Sequence, residues 1–166
     1  LSLKDVSPPP GRFEILKSTH RQVVVDYAHT PDGLKNVLES AKEMLGNGSL
    51  HVVFGCGGDR DRGKRPKMAR IAVDIADTVW ITQDNPRTEN PDQIVADILN
   101  GLSLDEQRGV EVINDRADAI ETAILKMGEL DMLVIAGKGH EPYQILNDRV
   151  IDFDDRLVAL KVLSTL

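Results

Sequence analysis

The feature that most constrains this chain is an alternation of two hydrophobic periods. Short, almost unbroken apolar runs at 22–25, 50–54, 78–81, 110–113 and 132–136 are separated by longer stretches with apolar residues at helical spacing. The first stretch, 31–45, places Leu34, Val37, Leu38, Ala41 and Leu45 on one face, and Pro31 suits its first turn. Residues 67–76 (Met68, Ile71, Ala72, Ile75), 91–102 (Ile94, Val95, Ile98, Leu99) and 115–127 (Ile120, Ala123, Ile124, Met127) repeat the pattern. A strand that is apolar along its whole length is buried on both faces, and such strands alternating with helices form a parallel sheet between helical layers. The spacing therefore predicts an α/β fold: a Rossmann-like three-layer αβα sandwich with a mostly parallel sheet.

Two segments add antiparallel pieces. Residues 12–17 read as a strand that turns around Thr19-His20 into 22–25. Residues 143–146, an Asn147-Asp148 turn and 150–153 read as a hairpin before a closing helix at 155–163. Residues 1–11, with Pro8-Pro9-Pro10-Gly11, read as an incoming linker, which leaves 12–166 as one domain. The chain begins Leu1-Ser2-Leu3 without Met, so it is expected to be a piece of something longer.

Composition removes several classes of function. A net charge of −7 and only 4% aromatic residues disfavour a nucleic-acid binder, which needs basic surface and stacking rings. One cysteine, Cys56, cannot form an internal disulfide framework and fits a reducing cytoplasm. No apolar run approaches the length that spans a bilayer.

In open parallel sheets ligands bind at the carboxyl ends of the strands, and the loops expected there are unusually polar. One reads Asp26-Tyr27-Ala28-His29-Thr30-Pro31-Asp32. A second runs from Gly55 to Pro66 and holds Arg60, Arg62, Lys64 and Arg65. A third is the turn Asp84-Asn85-Pro86-Arg87, and a fourth is Gly137-Lys138-Gly139-His140-Glu141. The second loop contains two near-matches. Gly55-x-Gly57 begins a dinucleotide fingerprint, but position 60 is Arg where Gly or Ala is required. Gly58-x-x-x-x-Gly63-Lys64 follows a phosphate-binding loop until Arg65 takes the place of its Ser or Thr. The loop instead reads as a turn that projects Arg60, with Arg62, Lys64, Arg65 and Lys67 adding positive potential. His140 has no second His or Cys at metal-ligand spacing, and nothing in the sequence orients His29 and Cys56 as a nucleophilic pair. Together the loops offer two guanidiniums (Arg60, Arg87), amide donors and a carboxylate (Glu141). That pattern suits a small zwitterion with an extra carboxylate and an extra ammonium, such as a diamino diacid.

These motifs, in this order and with Gly11-Arg12-Phe13-Glu14 ahead of them, resemble the C-terminal domain of the Mur ligases over residues 11–166. The resemblance implies a multi-domain cytoplasmic ligase of peptidoglycan precursor synthesis that uses ATP and Mg²⁺. Within the family the Asp-Asn-Pro-Arg turn is associated with meso-diaminopimelate, added to UDP-MurNAc-L-Ala-D-Glu. It further implies that Arg60, Asn85 and Arg87 bind the amino-acid substrate at its carboxylate, that Asp84 also belongs to the substrate site, and that Gly137 and Glu141 take its distal ammonium. Arg12, Asp26, Tyr27 and His29 match positions that face ATP. Gln83 departs from the Asp common in relatives. The residues show neither a true phosphate-binding loop nor a carboxylate set for Mg²⁺, so this chain alone is expected to bind substrate without turnover. The competing expectation is a free-standing small-molecule binding module of the same fold.

Overall fold

The computed structural model describes residues 9–17 and 21–166. The expected linker up to residue 8 and the expected turn at Thr19-His20 lie outside the described residues. The elements, in chain order, are β1 (Glu14–Lys17), β2 (Gln22–Asp26), α1 (Pro31–Met44), β3 (Leu50–Phe54), α2 (Lys64–Ile75), β4 (Thr78–Ile81) and α3 (Pro91–Leu99). They continue with α4 (Leu104–Arg108), β5 (Val110–Val112), α5 (Arg116–Lys126), β6 (Met132–Ala136), β7 (Tyr143–Leu146), β8 (Arg149–Asp152) and α6 (Asp155–Leu163).

One six-stranded sheet runs β1-β2-β6-β3-β4-β5, parallel apart from β1, which pairs antiparallel with β2. The period-2 alternation of a strand divides the core in two. Val24, Val52, Phe54 and Val134 face α1, α2 and α3, while Val23, Val25, Val53, Leu133 and Ile135 face α5 and α6. The core is aliphatic except at Phe54 and Trp80, both fully buried. The Rossmann-like sandwich is what the apolar runs predicted. The hairpin β7–β8 forms, but as a separate two-stranded sheet. Its connection is the two residues Asn147 and Asp148, with Asn147 in the left-handed region at φ 53°.

The helix boundaries differ from the sequence pattern where capping chemistry competes with periodicity. α2 begins three residues earlier than its apolar stripe, at Lys64, because Pro66 is tolerated in a first turn. The expected helix 91–102 ends at Leu99, and a short α4 follows. Ser103 and Glu106 form a reciprocal capping box that starts α4, a signal the hydrophobic stripe does not contain. Strand β1 begins at Glu14, not Arg12, because Phe13 turns into the left-handed region at φ 46° and donates its N–H to Asp26 Oδ2 at 2.7 Å.

The topology marks the ligand edge. The chain leaves β2, β3 and β4 toward the α1–α2–α3 face, whereas β6 lies between β2 and β3 and its chain continues to the α6 face. The loop after β6 thus sits where neighbouring connections part to opposite faces, the position at which open α/β sheets form a crevice.

Candidate functional site

All four polar loops lie on the same sheet edge, since β2, β3, β4 and β6 are parallel. The loop after β6 is built on Gly137 and Gly139, with φ of 120° and 53°, values that favour glycine. A Cβ on Gly139 would come within 2.7 Å of Gly11 O and 2.8 Å of Tyr27 Cβ. One on Gly11 would overlap the backbone of Gly139 and His140. Two glycines thus let three segments touch backbone to backbone. A Cβ on Gly137 would stand 3.2 Å from Asp84 Oδ2, so this glycine lets the third and fourth loops close on each other.

Between them lies a charged residue that the sequence reading did not include among the site residues. Lys138 is fully buried, and its Nζ contacts Asn85 Oδ1 at 3.1 Å and both Asp84 Oδ1 and Glu141 Oε2 at 3.5 Å. The ammonium also stands 5.6 Å from the centroid of the Tyr143 ring. A lysine flanked by glycines directly after a buried strand was the available signal, because burial there demands a countercharge. Asn85 is buried too. Its Oδ1 accepts from Lys138 and from the Ile145 N–H at 2.9 Å, and its Nδ2 donates to Glu141 Oε2 at 3.4 Å. Asp84 points inward at Lys138, and its carbonyl accepts from Gln144 Nε2 at 2.7 Å.

Glu141 is the carboxylate left short of partners. Its three donors, from Lys138, Asn85 and the Tyr27 hydroxyl, stand at 3.4–3.5 Å. Charge-assisted bonds close to about 2.7–2.9 Å, so these contacts orient the carboxylate while leaving it able to take a nearer cation. Burial and the Glu141 charge raise the Tyr27 pKa, which keeps that phenol a donor.

The Arg87 guanidinium and the aliphatic stem of Arg60 lie against Gly57. A Cβ there would come within 3.0 Å of Arg87 Nη1 and 3.7 Å of Arg60 Cγ. Arg87 is in the left-handed region at φ 53°, with Nη1 donating to Gly58 O at 2.9 Å and Asn85 O at 3.3 Å. Arg60 is exposed and donates from Nη1 to Asp59 O at 2.9 Å. Asp59 accepts from the Thr88 hydroxyl and N–H, bonds that hold its carboxyl below the usual carboxylate range and tie the second loop to the third. On the far side of Arg87 a cleft of about 550 Å³ opens between Gln83, Pro86 to Pro91 and the hairpin tip from Leu146 to Arg149.

Arg65 is not part of the expected field of positive potential. It is fully buried and paired with Glu89 and Asp97. Arg62, though exposed, bonds Asp97 as well. Lys64 donates to His29 O at 2.7 Å. Glu89 and Asp97 thus neutralise Arg62 and Arg65, while Lys64, on a neutral carbonyl, keeps its charge.

The residues expected to face ATP form a second, smaller recess. Arg12, Asp26, Tyr27 and His29 line it with Ala28 and Thr30 around about 260 Å³. Asp26 is spent on the loop itself, accepting from Phe13 N and Ala28 N at 2.7 Å each. The His29 ring meets Tyr27 edge-on at 4.7 Å and the His140 ring lies 6.0 Å from Tyr27. Cys56 is no partner for His29: it packs against Met68, and burial pushes its thiol up to about 12. Among the described residues no group of three or more His, Cys, Asp or Glu is placed to hold a metal ion, and no helix is long and apolar enough to cross a membrane.

Beneath the site, Arg116 and Asp155 form an ion pair with no solvent exposure, at 2.8 Å from Nε to Oδ1 and from Nη2 to Oδ2. The same guanidinium donates to Gln83 O and Ala136 O, so it joins the carboxyl ends of β4 and β6. Nothing in the sequence pairs these two residues, which lie 39 positions apart.

Comparison with known proteins shows the family. The family profile described as "Mur ligase, glutamate ligase domain" matches residues 11–139. The UDP-N-acetylmuramoyl-L-alanyl-D-glutamate--2,6-diaminopimelate ligase of a Prochlorococcus marinus strain is 53% identical over 164 residues, covering 98% of this chain and 32% of that protein. The enzyme of the same name from Geobacillus thermodenitrificans is 51% identical over 159 residues, 95% of this chain and 32% of its own length. A solved structure of a ligase of that name superimposes with a TM-score of 0.88 at 45% identity, over 96% of this chain and 32% of that one. The chain thus spans about a third of the length of the relatives it matches.

Proposed function

The chain belongs to the Mur ligase family, and from that premise we propose that it is the amino-acid-binding domain of a ligase that adds meso-diaminopimelate to UDP-MurNAc-L-Ala-D-Glu. The observation that carries this reading is that adjoining loops offer charge of both signs. Arg87 and the stem of Arg60 lie against Gly57, Arg87 donates to Asn85 O, and the same Asn85 donates from Nδ2 to Glu141, which is short of close donors. A planar guanidinium suits a carboxylate, and an under-bonded carboxylate suits an ammonium. A diamino diacid carries both at its distal end, whereas lysine offers only the ammonium. Lysine would leave the half-buried Arg87 guanidinium without a carboxylate, and a polar group left unpaired in a closed site is a basis for rejection.

Asn85, Asp84 and Gly137 support this site from behind: Asn85 orients Glu141, Asp84 balances Lys138, and Gly137 permits the close approach of the two loops. The relatives of the same name and high identity support the choice of substrate. In the proposed reaction ATP phosphorylates the D-glutamate γ-carboxylate, releasing ADP. The free amine of diaminopimelate then attacks the acyl phosphate, forming the amide and expelling phosphate. This chain's part is to hold the amine donor and to close over the nucleotide with the recess formed by Arg12, Tyr27 and His29, which Asp26 shapes.

The fit to the nucleotide is partial. The recess offers aromatic and cationic side chains, but the glycine loop carries the buried Arg65 where a phosphate-binding loop needs a hydroxyl. The triphosphate and Mg²⁺, which would neutralise developing phosphate charge, are assigned to the remainder of the longer protein, and the setting is the cytoplasm, where the precursor is made.

The test uses the longer protein. Amide formation should proceed with meso-diaminopimelate and fall to near background with L-lysine; equal rates would overturn the reading of Arg60 and Arg87. Failure of the longer protein to consume ATP with either amine would favour a binding module instead.

A further inference from the structure

Arg65 occupies the position that disqualifies the glycine loop as a phosphate cradle, and the proposed reaction leaves it without a task. We infer that Arg65 is the positioning residue that sets the Arg87 guanidinium, and so governs recognition of the ligand's second carboxylate. The inference rests on the amino-acid-binding reading above.

Arg65 stands in the first turn of α2 with no exposed surface, and its planar fork reaches three separate segments. Nη2 donates to Gly57 O at 3.1 Å, in the second loop. Both terminal nitrogens bond the Glu89 carboxylate, two residues after Arg87. Nη1 also donates to Asp97 Oδ2 at 2.8 Å, on α3. Glu89 extends the clamp: its carboxylate accepts from Asp59 N at 3.2 Å, and its own N–H donates to Pro86 O at 3.1 Å. One buried cation therefore sets the distance between the two loops that bear Arg60 and Arg87.

Arg87 needs such a clamp. A non-glycine residue in the left-handed region is strained and persists only where its surroundings over-determine it. Its N–H donates to Ile145 O at 3.3 Å, and its guanidinium rests at 2.9 Å on Gly58 O, the carbonyl next to the one Arg65 grips. Gly57 and Gly58 leave no slack, because a Cβ on Gly58 would overlap Pro86 O. A shift of the second loop therefore carries the Arg87 guanidinium with it.

Arg65 acts here through geometry and not through its field. Glu89 and Asp97 take up its charge and that of Arg62, so the four residues sum to zero. A lysine at position 65 would keep the charge but could not span three acceptors in one plane.

A double-mutant cycle on this 166-residue chain tests the inference, with meso-diaminopimelate affinity read by calorimetry. Arg65→Lys should weaken binding at least tenfold in the parent. In an Arg87→Ala background the same change should cost less than twofold, because the group through which it acts is gone. Equal losses in both backgrounds would show a general structural role and overturn the inference. Glu89→Gln, which leaves Arg65 in place but weakens its grip, is the second variant should Arg65→Lys fail to fold, and the same cycle applies. If the parent binds no diaminopimelate, the amino-acid-binding reading fails in this chain, and the NMR signal of the Arg87 Nε–H still decides. It should shift or broaden in Arg65→Lys while amides of β2 and β6 stay in place, and an unmoved signal would overturn the inference.

Discussion

Replacing Asp155 with Ala removes one half of an ion pair that has no contact with water. Arg116 makes four hydrogen bonds to protein, and two of them, both at 2.8 Å, go to Asp155. In Asp155→Ala the guanidinium keeps Gln83 O and Ala136 O but loses its close countercharge. Two unit charges about 4 Å apart attract by about 4 kcal/mol at the effective dielectric of a protein site. Breaking a buried pair from one side costs about 3–5 kcal/mol, because the remaining charge stays desolvated. Asp84 continues to attract Arg116, which places the expected loss near the lower end, at about 3 kcal/mol. For a domain of this size each kcal/mol lowers Tm by about 2–4 °C, so a fall of roughly 6–12 °C is expected. Urea unfolding of the parent, Asp155→Ala, and the double variant Asp155→Ala/Arg116→Met provides the assay. The double variant should recover at least half of the loss, since it removes the stranded cation. A single-variant loss below about 1 kcal/mol, or additive losses in the double variant, would refute the account of this pair as a coupled buried charge.

Three further outcomes follow from the geometry. Gly57→Ala places a methyl group 3.0 Å from Arg87 Nη1 without requiring a left-handed backbone, so thermal unfolding should change by less than about 1 kcal/mol while meso-diaminopimelate affinity falls about tenfold, about 1.4 kcal/mol; unchanged affinity by calorimetry would contradict the placement of Arg87. Cys56, with its thiol raised to about 12 by burial, should resist a thiol-reactive chromogen at pH 8 in the folded chain and react at once in denaturant. Asp97 is held down at about 2 by its bonds to Gln93, Arg65 and Arg62. A depressed carboxylate stabilises above its unfolded pKa, and that stability is lost as pH falls through the folded value. Asp97→Asn should therefore flatten the decline in stability between about pH 4 and pH 2, and an unchanged acid limb would contradict the pairing.

Much of the candidate site was legible because it is made of backbone chemistry. Gly11, Gly57, Gly137 and Gly139 announce positions where a Cβ would collide or where φ is positive, and polar loops after apolar strands announce the ligand edge. Asn85 donates to Glu141 and its carbonyl accepts from Arg87, so the third and fourth loops meet as their polar sequences implied. Less legible was how side chains divide their bonds. Arg65 sits in a run of cations that looks solvated, yet it is buried by partners 24 and 32 residues away. Lys138 looks like a loop cation, yet it neutralises Asp84, 54 residues earlier.

The sequence by itself determined the class of fold, the sheet edge on which the polar loops gather and the kind of group each loop offers. Hydrophobic periodicity and glycine sterics are local properties, written within a few residues of where they act. Only the tertiary structure decided which charges are consumed inside the protein and which keep few or distant partners. Arg116 and Asp155, or Arg65 and Glu89, find each other because β3, β4, β6 and the loops after them meet on one edge, and burial then forces each buried charge there to take a partner. That selection left Arg60 exposed and Glu141 with no donor nearer than 3.4 Å, two of the groups we propose for the ligand.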